Sequence, residues 1–234
     1  MLEGMRFIFV RHGEPDYDND CLTPDGIEQA KKTALRLHEE DIAAVYASPM
    51  GRAVQTAGFT AEDHKKDVIK LDFMHEIDWG SKSGEELEYE GHPWTLGYEL
   101  ISKFPEYAKG DKWREHRYFK DNVCLDYYDK IADGFDDLIK QYGLVREGDI
   151  YRAEKECDDT IAIFAHGGSG GLLISHVLGL PLPFVFTSMP YGVCSVSIID
   201  LSPLNGDMVV PRLEIFNDMG HLGNVRKEKL RFEK

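Results

Sequence analysis

Basic residues, cysteines and long apolar runs are all scarce in this sequence of 234 residues. Lys plus Arg number 27 against 42 Asp plus Glu, a formal charge of −15. That deficit of positive charge excludes unspecific attraction to nucleic acid or to an anionic membrane. An anionic small molecule would need a local positive pocket. The four cysteines (Cys21, Cys124, Cys157 and Cys194) are scattered, with no C-x-x-C pair. This argues against a disulfide framework and gives zinc no ligand spacing. No apolar run approaches the roughly 18 residues of a membrane span. Between Met1 and Val10 the one apolar stretch is Phe7–Val10, too short for a secretory leader. The expectation is a cytoplasmic protein in a reducing compartment. No internal repeat and no low-complexity tract is present.

What the chain does have is 42% hydrophobic residues, sufficient for a core. The reading is a single domain over residues 1–234 with an insertion at about 83–152. Phe7–Val10, Ile42–Ala47, Val68–Leu71 and Thr160–Ala165 are short apolar runs of the kind buried on both faces of a sheet. Between them lie helical stretches. Thr23-Pro24 pairs a favoured N-cap with a proline at the first helical position, and Arg52–Phe59 comes after the break at Ser48-Pro49. Leu172–Leu180 is an apolar helix after the glycine-rich His166–Gly171, which reads as a turn. Val193–Leu201 and Met208–Phe216 read as a closing pair of strands around an Asn205-Gly206 turn. Alternating strands and helices predict an α/β fold, three layers with a mostly parallel central sheet. The insertion, with Gly84–Phe104 and Val123–Tyr142 read as helices, is expected to be largely helical.

Arg11-His12-Gly13-Glu14 comes directly after the first strand, and His166-Gly167-Gly168 directly after Thr160–Ala165. Ligands of open α/β sheets bind beyond the carboxyl ends of the strands. Arg52, just after the second strand, lies on the same rim. Two arginines and two histidines at one sheet edge suit a phosphoryl group. Guanidinium groups donate paired hydrogen bonds to phosphate oxygens, and a neutral imidazole can attack phosphorus.

Four segments in order resemble the histidine phosphatase superfamily, the phosphoglycerate mutase-like proteins. They are Arg11–Glu14, Ser48–Ala57, Glu76-Ile77-Asp78-Trp79-Gly80 and Ala165–Gly168. The resemblance implies His12 as a nucleophile that becomes phosphohistidine, with Arg11, Arg52 and His166 binding the phosphate. It implies Glu76 as the group that protonates the leaving oxygen and then activates water, with Asp78 as the fallback acid. Asn19, in the loop after the first strand, is a further candidate phosphate contact. No metal and no cofactor is implied, and the expected partner is a small phosphorylated substrate. The sequence is compatible with a homo-oligomer. Ile77–Glu85 reads closer to the phosphatase branches than to the mutases. The implied function is therefore phosphomonoester hydrolysis. The alternatives are phosphoglycerate mutase-type transfer and a catalytically weak phosphate or phosphopeptide binder.

Other features carry less. Gly167-x-Ser169-x-Gly171 has the letters of a hydrolase elbow, but the Arg-His-Gly segments outweigh it. His176 reads as a packed helix residue, and His221 receives no chemistry. Lys112, Arg114, His116, Arg117 and Lys120 read as a solvated surface or, alternatively, as a cap that selects substrate. The basic tail Arg226–Lys234 reads as a solvated end.

Overall fold

The computed structural model describes residues 4–223; the tail Arg226–Lys234 lies outside the described residues. In chain order the strands are β1 (Arg6–Arg11), β2 (Pro15–Asp16), β3 (Cys21–Leu22), β4 (Ile42–Ala47), β5 (Val68–Lys70), β6 (Leu144–Glu147), β7 (Ile150–Ala153), β8 (Thr160–Ala165), β9 (Val196–Asp200), β10 (Met208–Val209) and β11 (Arg212–Asp218). The α-helices are α1 (Pro24–Leu37), α2 (Gly51–Asp63), α3 (Pro93–Lys103), α4 (Cys124–Lys140), α5 (Gly167–Leu178) and α6 (Leu182–Ser188).

The main sheet has the order β11-β9-β1-β8-β4-β5. β1, β8, β4 and β5 pair in parallel, while β9 runs antiparallel to both β1 and β11. The period-2 alternation of the strands sorts their side chains to two faces. Ile8, Val10, Ala162 and Phe164 meet Leu37 of α1 and Ala57 and Ala61 of α2. Phe7, Phe9, Ile161 and Ile163 belong to the opposite core, with Phe135 of α4, Leu172 of α5 and Leu100 of α3. This is the expected three-layer α/β fold with a mostly parallel sheet. Thr23 caps α1 as anticipated, its hydroxyl accepting from Gly26 N at 3.0 Å.

Several local expectations are corrected. The glycine run His166–Gly171 is not a turn: α5 starts at Gly167. Tertiary contact outweighs the poor helix propensity of glycine here. A Cβ on Gly170 would lie 2.0 Å from Cζ of the buried Phe9. The insertion is helical at α3 and α4, but the stretch before Pro93 is irregular, with left-handed Tyr89 and Glu90. The insertion also ends in a hairpin of β6 and β7. Met208–Val209 joins β7 rather than continuing into β11, and α6 had no strong periodic signal. The root of the insertion is closed on itself. Val123 N donates to Gly80 O at 2.8 Å, Lys82 N to Asp121 O at 2.8 Å, and Ser81 bridges Asn122.

Gly170→Ala is expected to destabilise the protein by about 1–3 kcal/mol through overpacking against Phe9, although alanine gains about 1 kcal/mol of helix propensity. Urea unfolding monitored by circular dichroism reads this directly.

Candidate active site

The site grows from the register of two neighbouring strands. β1 and β8 pair with Arg11 opposite Ala165, so His12 and His166 leave the sheet side by side. His12 N donates to Ala165 O at 2.9 Å, and the two imidazole centroids are 5.1 Å apart at 61°. Both rings are buried. The ring nitrogen Nδ1 of His12 lies 2.7 Å from Gly13 O. A carbonyl only accepts, so Nδ1 carries the proton and Nε2 keeps its lone pair. Burial, reinforced by the charges of Arg11 and Arg52, lowers the His12 pKa to about 3. His12 is therefore a neutral imidazole near pH 7 with a defined tautomer.

His166 is held by Ser48, whose Oγ lies 2.7 Å from Nε2. Ser48 Oγ also accepts from Met50 N at 3.3 Å. A hydroxyl proton given to Nε2 would leave Nδ1 of His166 as the protonated nitrogen. That Nδ1 is buried and has no hydrogen-bond partner. Burial first, then the charges of His12 and Arg52, push the His166 pKa well down.

Arg52 opens the first turn of α2 and is only 4% exposed. Its Nη1 donates to Asp20 Oδ1 at 2.6 Å, and Nη2 reaches Met50 Sδ at 3.4 Å. Its Nε is a second buried nitrogen without a hydrogen-bond partner. The Tyr17 ring lies 5.4 Å from the guanidinium carbon. Arg11 Nη1 donates to Tyr191 O at 2.8 Å. The hydroxyl of the same tyrosine donates to Gly167 O at 2.6 Å, so one residue ties Arg11 to the start of α5.

Glu76 lies beyond the end of β5. Its Oε1 accepts from Ile77 N, Gly168 N and Ser169 N at 3.0, 3.0 and 2.9 Å. Two of those donors belong to the first turn of α5, whose free amides favour an acidic group. The carboxyl thus sits at the turn that comes after His166. Asp78 is elsewhere: it is exposed and accepts from Tyr127 OH of α4 at 2.9 Å. Asn19 is exposed too, with its amide donating to Asp16 Oδ2 at 2.8 Å in a local turn. It is Asp20, the next residue, that reaches Arg52.

The structure therefore gathers Arg11, His12, Arg52, Glu76 and His166 at one sheet edge, and leaves Asn19 and Asp78 engaged outside that group. Ser48, Asp20 and Tyr191 are additions that sequence reasoning missed. Ser48 had a signal, since it comes after β4 as His12 and His166 come after β1 and β8. Asp20 and Tyr191 sit in loops with no pattern. The insertion's basic cluster is partly paired within the insertion. Arg114 pairs with Asp129 at 2.9 Å, Arg117 with Glu88 at 2.5 Å, and His116 packs among Phe104, Tyr107 and Tyr118. Arg114 and Arg117 are thus answered within the insertion itself. His176 pairs with Asp136 of α4, and His221 reaches Thr33 and Cys194 O, both as packing residues. Ser169 contributes its amide to Glu76, not a nucleophile. Among the described residues no helix is long and apolar enough to cross a membrane.

Strand ends that carry paired imidazoles, buried guanidinium groups and a carboxyl at a helix start form a cluster suited to an anion, with a neutral ring chemically able to act as nucleophile. Residues 7–117 match the model of the histidine phosphatase superfamily (branch 1). A 2,3-bisphosphoglycerate-dependent phosphoglycerate mutase of Thermoplasma acidophilum is 32% identical over 122 residues, 45% of this chain and 58% of the relative. Phosphoserine phosphatase 1 of Hydrogenobacter thermophilus is 34% identical over 111 residues, 44% of this chain and 48% of the relative. The matched stretch thus spans about half the length of these relatives. A solved phosphoserine phosphatase of Entamoeba histolytica, in complex with phosphoserine, shares the fold with a TM-score of 0.59 at 24% identity, over 93% of this chain and 99% of that one. Residues 7–117 thus match the histidine phosphatase superfamily, and the relatives that match the chain include both a phosphatase and a mutase.

Burying His12 as a neutral ring has a consequence for stability. The unfolded histidine, near pKa 6.5, takes up a proton as pH falls below that value, while the folded one, at about 3, does not. Stability contributed by this group is intact above pH 6.5 and declines at about 1.4 kcal/mol per pH unit below it. Between pH 6.5 and 5, His12→Gln is expected to have a shallower loss of unfolding free energy than wild type, by about one proton's slope. Urea melts at both pH values test this; equal slopes would contradict it.

Proposed function

We propose that this chain hydrolyses small phosphomonoesters through a covalent phosphohistidine on His12. The observation that carries the reading is the buried, neutral His12 with its Nδ1 proton on Gly13 O, flanked by two buried nitrogens without partners, Arg52 Nε and His166 Nδ1. A buried N–H without an acceptor costs free energy. Phosphoryl oxygens would supply both acceptors.

In the first half-reaction Nε2 of His12 forms a bond to phosphorus as the ester P–O bond breaks. Glu76, as the carboxylic acid, gives its proton to the departing alkoxide oxygen. The imidazole ring gains positive charge, and Gly13 O, accepting from Nδ1–H, stabilises it. Arg11, Arg52 and His166 answer the charge on the phosphoryl oxygens. In the second half-reaction the Glu76 carboxylate takes a proton from water. The water oxygen bonds to phosphorus and the P–N bond breaks, so His12 and the acid are restored and inorganic phosphate leaves. A positive pocket inside a chain of net charge −15 also supports selective capture of an anion over general attraction.

Mutase chemistry shares the first step and returns the phosphoryl group to an acceptor. Holding a carboxylate-bearing three-carbon phosphate calls for further uncommitted cations. The pairing of Arg114 and Arg117 with Asp129 and Glu88 supports the hydrolase reading.

Hydrolysis of an aryl phosphate between pH 5 and 7.5, with a chelator present, tests the proposal. Wild type is expected to turn over, and His12→Ala to lose at least about 10³-fold in kcat. Quenched wild type should retain a phosphoryl label that is stable in alkali and lost in acid. Equal rates in both proteins would remove His12 as nucleophile. Activity that depends on a bisphosphate primer would identify a mutase instead.

A further inference from the structure

We propose that Asp20 is a positioning residue for Arg52: its carboxylate pins Nη1 and so reserves the Nε–Nη2 edge of the guanidinium for the phosphoryl oxygens. This rests on reading the pocket as a phosphoryl site.

Asp20 sits in the loop between β2 and β3 with φ +46, in the left-handed region that few residues other than glycine, asparagine and aspartate enter. Its main chain is pressed against the start of α2, where a Cβ on Gly51 would lie 2.2 Å from Asp20 O. From there the carboxylate spans two donors. Oδ2 accepts from Gly51 N and Oδ1 from Arg52 Nη1, both at 2.6 Å.

The guanidinium is planar and presents its donors along edges. Nη1 lies on the side of Cδ, whereas Nε–H and the inner N–H of Nη2 point the same way on the opposite side. That edge is the fork which matches two oxygens of a phosphoryl group. Here Nε is buried without a partner, and Nη2 meets only a thioether sulfur, a weak acceptor. The division of labour is thus visible within one side chain: one edge is anchored by the protein and the other is left for a ligand. The charge is also shared with the reacting groups, since both Arg52 and Asp20 act on His12.

A carboxylate that merely capped α2 would use Gly51 N and have no need of Nη1. The two roles separate in a double-mutant cycle on kcat with an aryl phosphate. D20A is expected to lower kcat by about tenfold to a hundredfold through misplacement of the fork. R52A is expected to lose about 10²- to 10³-fold. D20A/R52A should be no worse than R52A alone within about twofold, because Asp20 acts through Arg52. D20N retains one side-chain acceptor and should recover part of the loss. Losses that multiply in the double variant would overturn the proposal. So would a D20A protein with a lowered melting temperature and unchanged kcat.

A second readout needs no turnover. The Arg52 Nε–H resonance, assigned by its disappearance in R52K, should shift in wild type as inorganic phosphate is added. In D20A it should shift by less than half as much at equal saturation. An unmoved resonance in wild type, or equal shifts in both proteins, would refute the positioning role. If wild type hydrolyses no phosphomonoester yet shows these shifts, the hydrolase reading falls and the positioning of Arg52 stands.

Discussion

The parallel pairing of β1 with β8 is the constraint on which the rest of the site depends. Its register sets Arg11 opposite Ala165, and the next residues of both strands are carried out of the sheet together. Two imidazoles then stand 5.1 Å apart in an environment with little water. Neither ring can take up a proton cheaply there, because a buried charge beside guanidinium groups has no solvent to answer it. The neutral state that the proposed nucleophile requires is therefore a by-product of where the strands end. Gly13 O then fixes the proton position of the His12 ring, and Ser48 holds the His166 ring.

Much of this was legible in the sequence because it is written in short-range signals. Four apolar runs of strand length, each succeeded by a small or polar residue, specified the α/β order and the sheet edge where chemistry collects. His12, His166 and Arg52 are found by inspecting the residues just past the end of each strand. The illegible part depends on contacts between distant segments. The glycines at 167–171 look like a turn in isolation; only the closeness of Phe9, Ile77 and Phe186 explains glycine inside a helix. Asp20 is one of three aspartates within five positions, and nothing local distinguishes the one that meets Arg52 from those that solvate a loop. Asn19, the neighbour that the resemblance pointed toward, is turned instead to Asp16. The basic cluster of the insertion was ambiguous for a related reason, since its partners, Asp129 and Glu88, lie 15 and 29 positions away from Arg114 and Arg117.

Acidic residues contribute to the pocket as much as basic ones. Asp20 and Glu76 each satisfy backbone amides at a helix start, at α2 and α5 respectively. Each also stands next to a group assigned to the phosphoryl centre. Helix starts attract anions through their free N–H groups, and here two of them are occupied by the protein's own carboxylates. The positive character of the site is consequently supplied by side chains, Arg11 and Arg52, rather than by helix ends.

The way the insertion is rooted has a consequence of a different kind. Its first part departs at Gly80–Lys82 and returns at Asp121–Val123, and these two points are joined by their own backbone hydrogen bonds. The excursion between them is closed at its base by these bonds. Closing a longer flexible loop adds only about 0.6 kcal/mol per doubling. Such a base fixes both ends of the excursion, while Leu100 of α3 stays seated in the core with Phe7 and Phe9. Extra residues placed in its exposed turns are therefore expected to leave Glu76 and the strand ends where they are.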